Sequence, residues 1–132
     1  MVCIYCNHET IVANSRHQKR VNQVWRRRRC THCKAIFTTL EVVDANQAVR
    51  VSKEGRLEPF SRDKLLLAIY DSLKHRKSAV ADASYLTGTI LGSIYTHLKD
   101  ASIDSNKITR ITLQTLGNFD KAAATHYKAF HD

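Results

Sequence analysis

CIYC at residues 3–6 and VWRRRRCTHCKAIFTTLE at residues 24–41 decide how this chain begins to fold. Each contains a C-x2-C pair, Cys3 with Cys6 and Cys30 with Cys33, and 23 residues separate the two. A C-x2-C turn directs two sulfurs at one centre. Two such turns complete a tetrahedral four-sulfur site with no open coordination position, which holds shape and does no chemistry. The residues after the second cysteines, Asn7 and Lys34, stand where φ > 0 is expected, a conformation Asn tolerates better than Lys. TIVANSR, NQVWRRRR and AIFTTLEVV are rich in Val, Thr and Trp and predict three short strands around the cysteines. The pattern is that of a small three-stranded antiparallel zinc ribbon holding one structural Zn²⁺.

The competing readings are a redox dithiol pair and two disulfides. The sequence has no apolar run of the ~18 residues that span a bilayer, and no charged start with an apolar h-region and a small-residue cleavage site. It therefore reads as cytoplasmic with no membrane partner, and in a reducing compartment paired cysteines favour metal. Zinc is worth about 10 to 16 kcal/mol to small metal-folded peptides, more than a segment of this size could bury. His8 and His32 lie beside the cysteines, but with four sulfurs present they are expected at the surface.

The chain has 132 residues, a net charge of +9 and a pI near 9.7. Residues 1–49 carry 8 Lys and Arg against 3 Asp and Glu, whereas the remainder carries 13 against 9, so the smaller segment is the more charge-dense. The excess centres on Arg26, Arg27, Arg28 and Arg29, directly before Cys30 and after Trp25. Arg16, Lys19 and Arg20 are expected on the preceding loop. On a strand, successive guanidinium groups point to opposite faces, so one face cannot use all four. Guanidinium forks match phosphate oxygens and the guanine edge, and no acid lies between Glu9 and Glu41. The footprint is that of a nucleic-acid surface; a solvated strand or an acidic protein partner is the plainer alternative.

Residues 41–48 read as a short polar connection. Beyond them Val49 and Val51 alternate with Arg50 and Ser52, Glu54-Gly55 reverses the chain, and residues 56–60 return, a β-hairpin with Pro59 at a sheet edge. Ser61 can cap a helix bearing Leu65, Leu66, Ile69, Tyr70 and Leu73. Leu86, Ile90, Ile94 and Leu98 mark a second helix. Ile108, Ile111 and Leu116 mark a third, capped by Ser105 and stopped near Gly117, and Phe119, Ala123, Tyr127 and Phe130 a fourth. The fold class is α+β: residues 1–45 as the ribbon, and residues 46–132 as a hairpin or small sheet on about four helices. Gly88 and Gly92, four apart, would allow close helix approach or be merely tolerated. No Ser-His-Asp order or Walker A sequence occurs, and five further His are scattered. Arg50, Lys53, Arg56, Arg62 and Lys64 gather around the hairpin and a helix start, a place suited to phosphates.

CIYC, NSR, WRRRRC, THC, FTTLE, VRVSKEGRLEPFSRDKL and YKAF, in this order, resemble the bacterial NrdR family, nucleotide-controlled transcriptional repressors of ribonucleotide reductase genes. The resemblance runs from Cys3 to Phe130. It implies a non-enzymatic protein with a zinc ribbon on Cys3, Cys6, Cys30 and Cys33, contacting double-stranded operator DNA through Arg16 and Arg26 to Arg29. It also implies a second domain of the ATP-cone type whose hairpin and first helix hold the effectors ATP and dATP. Val51, Lys53, Glu58, Phe60 and Lys64 match the family's positions there, with Arg50 and Arg56 beside them. The nucleotides would alter a homo-oligomer and hence DNA affinity. The chain departs from the family pattern at Ser52, where a Lys is usual, at Asn7 and Lys34 in place of knuckle glycines, and at Leu40 in place of an aromatic. Ser52 also leaves open an adaptor that binds protein or single-stranded RNA and has a degenerate nucleotide domain.

Overall fold

The computed structural model describes residues 1–131 and divides into two compact units, Met1–Val43 and Asp44–Asp132. The first unit is an antiparallel sheet in the order β1 (Thr10–Gln18), β2 (Gln23–Cys30), β3 (Ile36–Val42). These are the three expected strands. Asn22, at φ 48°, helps turn the chain between β1 and β2. The β1–β2 register steps from Val12↔Arg28 to Asn14↔Arg27, which leaves Ala13 as the extra residue of a β-bulge. Two overlapping expectations are resolved. Arg16, read both in the strand TIVANSR and on the loop after it, is on β1, opposite Trp25; Glu41 and Val42, read both in the strand AIFTTLEVV and in the connection, belong to β3.

Among the described residues the buried side chains of this unit are Cys3 and Cys30. Its sheet has no apolar layer of its own, and the cysteine cluster takes the place of a core.

The second unit opens with the helical turn α1 (Ala45–Ala48), then β4 (Arg50–Lys53) and β5 (Arg56–Pro59). The stretch expected as a polar connection therefore contributes to the fold: Ala45 is buried. Glu54 (φ 52°) and Gly55 (φ 77°) make the hairpin reversal, with both central residues left-handed. The hairpin gains a strand that the sequence did not announce, β6 (Ser102–Asp104), which pairs parallel to β4. The order is β5-β4-β6, so β5 with Pro59 is at an edge, as expected.

Four longer helices follow: α2 (Arg62–Ser72), α3 (Ala79–Thr96), α4 (Ser105–Phe119) and α5 (Lys121–His131). Ser61 caps α2 by accepting from the Lys64 N–H at 3.2 Å. The cap of α4 is Asp104, which accepts from the Asn106 N–H at 2.8 Å, and not Ser105. Gly117 does not stop α4. The helix runs on to Phe119 and ends where Asp120 turns extended, and the same carboxylate accepts from the Ala123 N–H at 3.0 Å and so starts α5. Phe119 thus belongs to α4, and Phe130 stays 74% exposed.

Ile69, Leu73, Ile90, Ile94 and Leu116 are the large, fully buried side chains of this core, with Leu65, Leu86, Ile111, Ala123 and Tyr127 beside them. A Cβ built on Gly88 would meet nothing within 4 Å, so that glycine does not serve a close approach. No helix of the described residues is long and apolar enough to cross a membrane.

Candidate metal centre and nucleic-acid surface

The first C-x2-C turn is closed by Asn7, whose N–H donates to Cys3 O at 2.9 Å with φ 65°, and the second passes through Lys34 at φ 66°. Both residues take the left-handed conformation the spacing predicted. Backbone N–H groups point at the sulfurs: Tyr5 to Cys3 Sγ at 3.4 Å, and His32 and Cys33 to Cys30 Sγ at 3.3 and 3.4 Å. Such donors favour thiolate over thiol.

Cys3 Sγ lies 3.7 Å from Cys33 Sγ and Cys6 Sγ lies 3.4 Å from Cys30 Sγ, and all four sulfurs fall within 4.8 Å of one another. A tetrahedral zinc with bonds of about 2.3 Å needs sulfurs about 3.8 Å apart, so the donor set fits that ion. The electrostatics agree. Burial works to raise the Cys30 thiol, but the N–H groups of Cys33 and His32 and the neighbouring sulfurs outweigh it and hold it at about 6. The Ala35 N–H works to lower Cys33, yet loss of water and the sulfurs of Cys6, Cys30 and Cys3 push it up to about 12. One thiolate forms readily and the next is resisted, a set that a divalent cation would neutralise. His8 and His32 are exposed as expected, their rings stacked 3.9 Å apart.

The strand after the bulge sorts the arginines. Directly opposite residues of an antiparallel pair share a face. Trp25, Arg27 and Arg29 of β2 therefore share one with Arg16, Asn14 and Ile11 of β1 and with Leu40, Thr38 and Ile36 of β3. Arg16, Arg27 and Arg29 are exposed there. Arg26 and Arg28 point the other way and are half-buried. Arg26 donates to Ser15 Oγ at 3.1 Å and pairs with Glu41 at 3.6 Å, while Arg28 donates to Thr10 Oγ1 at 3.3 Å. The buried Arg28 Nε has no partner among the described residues. The alternation was legible in the sequence; that Ser15, Thr10 and Glu41 hold the inward pair was not, because it depends on a register shifted by Ala13.

In the second unit Val51 pairs with Glu58 and Lys53 with Arg56, so these four share the sheet face that carries the buried Ile103. Lys53, Arg56 and Glu58 are exposed and Val51 is half-buried. Arg50 is not brought together with them: it lies on the opposite face, with Ser52. Phe60 is a core side chain, 5% exposed, with its N–H donating to Val49 O at 3.1 Å. Lys64 is exposed on the first turn of α2, and the N–H of Arg62 is taken by Asn46 Oδ1 at 2.8 Å.

Residues 1–41 match the family model described as "Transcriptional repressor NrdR-like, N-terminal domain", a zinc ribbon. Over an alignment of 137 residues the chain is 31% identical to the "Transcriptional repressor NrdR" of Lachnoclostridium phytofermentans, covering all of this chain and 89% of that protein. The protein of the same description from Streptococcus pyogenes serotype M5 is also 31% identical, with 83% of its length covered. The likeness thus extends through both units, and these relatives are described by repression and not by a reaction.

Proposed function

The chain belongs to the NrdR family of transcriptional repressors, and from that premise we propose that it binds operator DNA upstream of ribonucleotide reductase genes through a zinc-loaded ribbon under nucleotide control. Cys3, Cys6, Cys30 and Cys33 hold one structural zinc, which braces the strands and supplies no chemistry. Arg16, Arg27 and Arg29 meet the phosphates and base edges of the duplex. Arg26 and Arg28 serve from behind by fixing the sheet against Ser15, Glu41 and Thr10. The observation that carries this reading is the exposed face on which three arginines stand beside Trp25, mounted on a sheet whose buried side chains are cysteines.

The second unit is the sensor in this reading. Lys53, Arg56 and Lys64 receive the triphosphate of ATP or dATP, while Val51, Glu58 and Phe60 shape the region for the base and sugar. Arg50, on the other face, takes no part. Nucleotide can act only by binding the DNA-competent homo-oligomer more tightly than the incompetent one, and dATP is the effector expected to favour repression. The test is operator affinity and particle size measured without nucleotide, with ATP and with dATP. Affinity should depend on which nucleotide is present; equal values in all three conditions would refute the switch and leave a constitutive DNA-binding ribbon.

A further inference from the structure

The arginine-bearing face of the ribbon sheet is built from cross-strand rows that differ in chemistry. In the row next to the cysteines, Ile11, Arg29 and Ile36 stand side by side, and in the following row Asn14, Arg27 and Thr38. Ile11 is 45% exposed and Ile36 49%, so an exposed cation is bracketed by exposed apolar side chains. Arg29 belongs to no ion pair among the described residues. Ile11 reaches this row through the bulge. Counting back by twos from Arg16 and Asn14 leads to Val12, and the extra residue Ala13 puts Ile11 opposite Arg29 in its place. The metal turn holds the row from the other side: Cys30 follows Arg29, and its N–H donates to Ala35 O at 2.9 Å, directly before Ile36.

Exposed isoleucines taken singly are ordinary in a folded protein. Two of them on either side of one cation, on a face whose paired positions hold no acidic residue, call for a partner that is negatively charged and yet apolar at short range. Phosphate supplies the charge, but pressing its oxygens against isoleucine methyls removes water with no hydrogen bond in return. The carboxylates of an acidic protein surface have the same defect. A DNA duplex brings both properties together, because its major groove shows the 5-methyl group of thymine between two lines of phosphates. The neighbouring row differs: Asn14 and Thr38 set hydrogen-bonding groups beside Arg27 and carry no such preference.

We propose that Ile11 and Ile36 make the ribbon selective for thymine, packing against 5-methyl groups in the major groove while Arg29 between them meets the charge of the duplex. The inference rests on the DNA-binding reading above and adds which base is read and by what contact. Deoxyuridine lacks that methyl and is otherwise thymidine, so exchanging the two separates this contact from every hydrogen bond. Duplexes with a randomised core are selected on the full, zinc-loaded chain in the nucleotide condition that binds most tightly. A recovered duplex is then resynthesised with deoxyuridine at each thymine in turn. Affinity of the parent chain should fall roughly fourfold at each position where a methyl is buried. Ile11→Ala and Ile36→Ala should each bind the thymine duplex more weakly by a similar factor and be indifferent to deoxyuridine at one of those positions. Both should keep the parent's salt slope, since no charge is lost. Parent affinity that is the same with thymine and deoxyuridine at every position, or selected duplexes without thymine, overturns the inference while the DNA reading stands. A deoxyuridine penalty that persists undiminished in both variants overturns the assignment to these isoleucines. A chain that recovers no duplex from the pool overturns the DNA reading itself, and the inference with it.

Discussion

One step along β2 separates Arg27 from Arg28, and with it the side chain passes from an exposed face to a half-buried one. Side chains of the same type therefore have different tasks. Replacing Arg27 and Arg29 together by Ala should weaken operator binding and reduce the dependence of log K on log salt by roughly 2, about one for each phosphate left unneutralised, with the melting temperature hardly changed. The pair Arg26→Ala and Arg28→Ala should do the converse, lowering the stability of the ribbon through poorer packing and through Ser15, Thr10 and Glu41 left unpartnered. Salt titrations of DNA affinity beside melting curves check both, and equal salt slopes in the two double variants would contradict the assignment. The four-arginine run was visible in the sequence, and so was the fact that one face could not use it all. Which pair faces outward was not, since it rests on Ala13 and on partners 11 and 18 residues away along the chain.

Between elements, one carboxylate ties distant parts of the helical unit together. Asp120 accepts from His75 Nε2 at 2.9 Å, from the Ala123 N–H at 3.0 Å and from Arg76 Nη1 at 3.1 Å, and Arg76 also reaches Asp82 at 2.9 Å. The turn after α2 is thereby joined to the α4–α5 junction. These donors, His75 first, hold the Asp120 carboxyl down from its ordinary 3.8 to about 2. A lowered folded-state value contributes stability that is complete above the unfolded value and disappears as pH falls from about 4 to about 2. Asp120→Asn should therefore lower unfolding free energy at neutral pH by about 1–3 kcal/mol and flatten the acid limb of the stability curve in that window, as denaturant melts at several pH values would record. An unchanged acid limb would show that Asp120 is not its source. The α2 start was legible because Ser61 is the first capping residue before an apolar period and Asp63 follows in the first turn. At α4, Asp104 and Ser105 are both capping types, and Asp104 is the one that stays extended and accepts from the Asn106 N–H, Ser105 being already helical. β6 escaped notice because three residues carry no period and their partner strand lies far upstream, with Arg50 opposite Ser102. Gly117 misled because a helix can keep a glycine when a better cap, Asp120, follows.

Taken whole, the chain contains two folding units of different kinds: one with a broad apolar core from Ala45 to Tyr127, and one whose buried side chains are Cys3 and Cys30. A chelator that strips the metal, or Cys30→Ala, should unfold the strands of the first unit while the helical circular dichroism of the second persists, because each interior is assembled without the other. Loss of both signals together would contradict that independence. The polar look of residues 41–48 concealed that Ala45 already belongs to the second interior, since a small apolar residue gives no period in so short a stretch. The thinness of the first interior has a further consequence. With zinc as the proposed ligand of the folded ribbon, its stability rises with the logarithm of the free ion concentration. The number of molecules able to present Arg16, Arg27 and Arg29 is then limited by the cell's supply of zinc, so scarcity of the metal would release the controlled genes even when every nucleotide signal calls for silence.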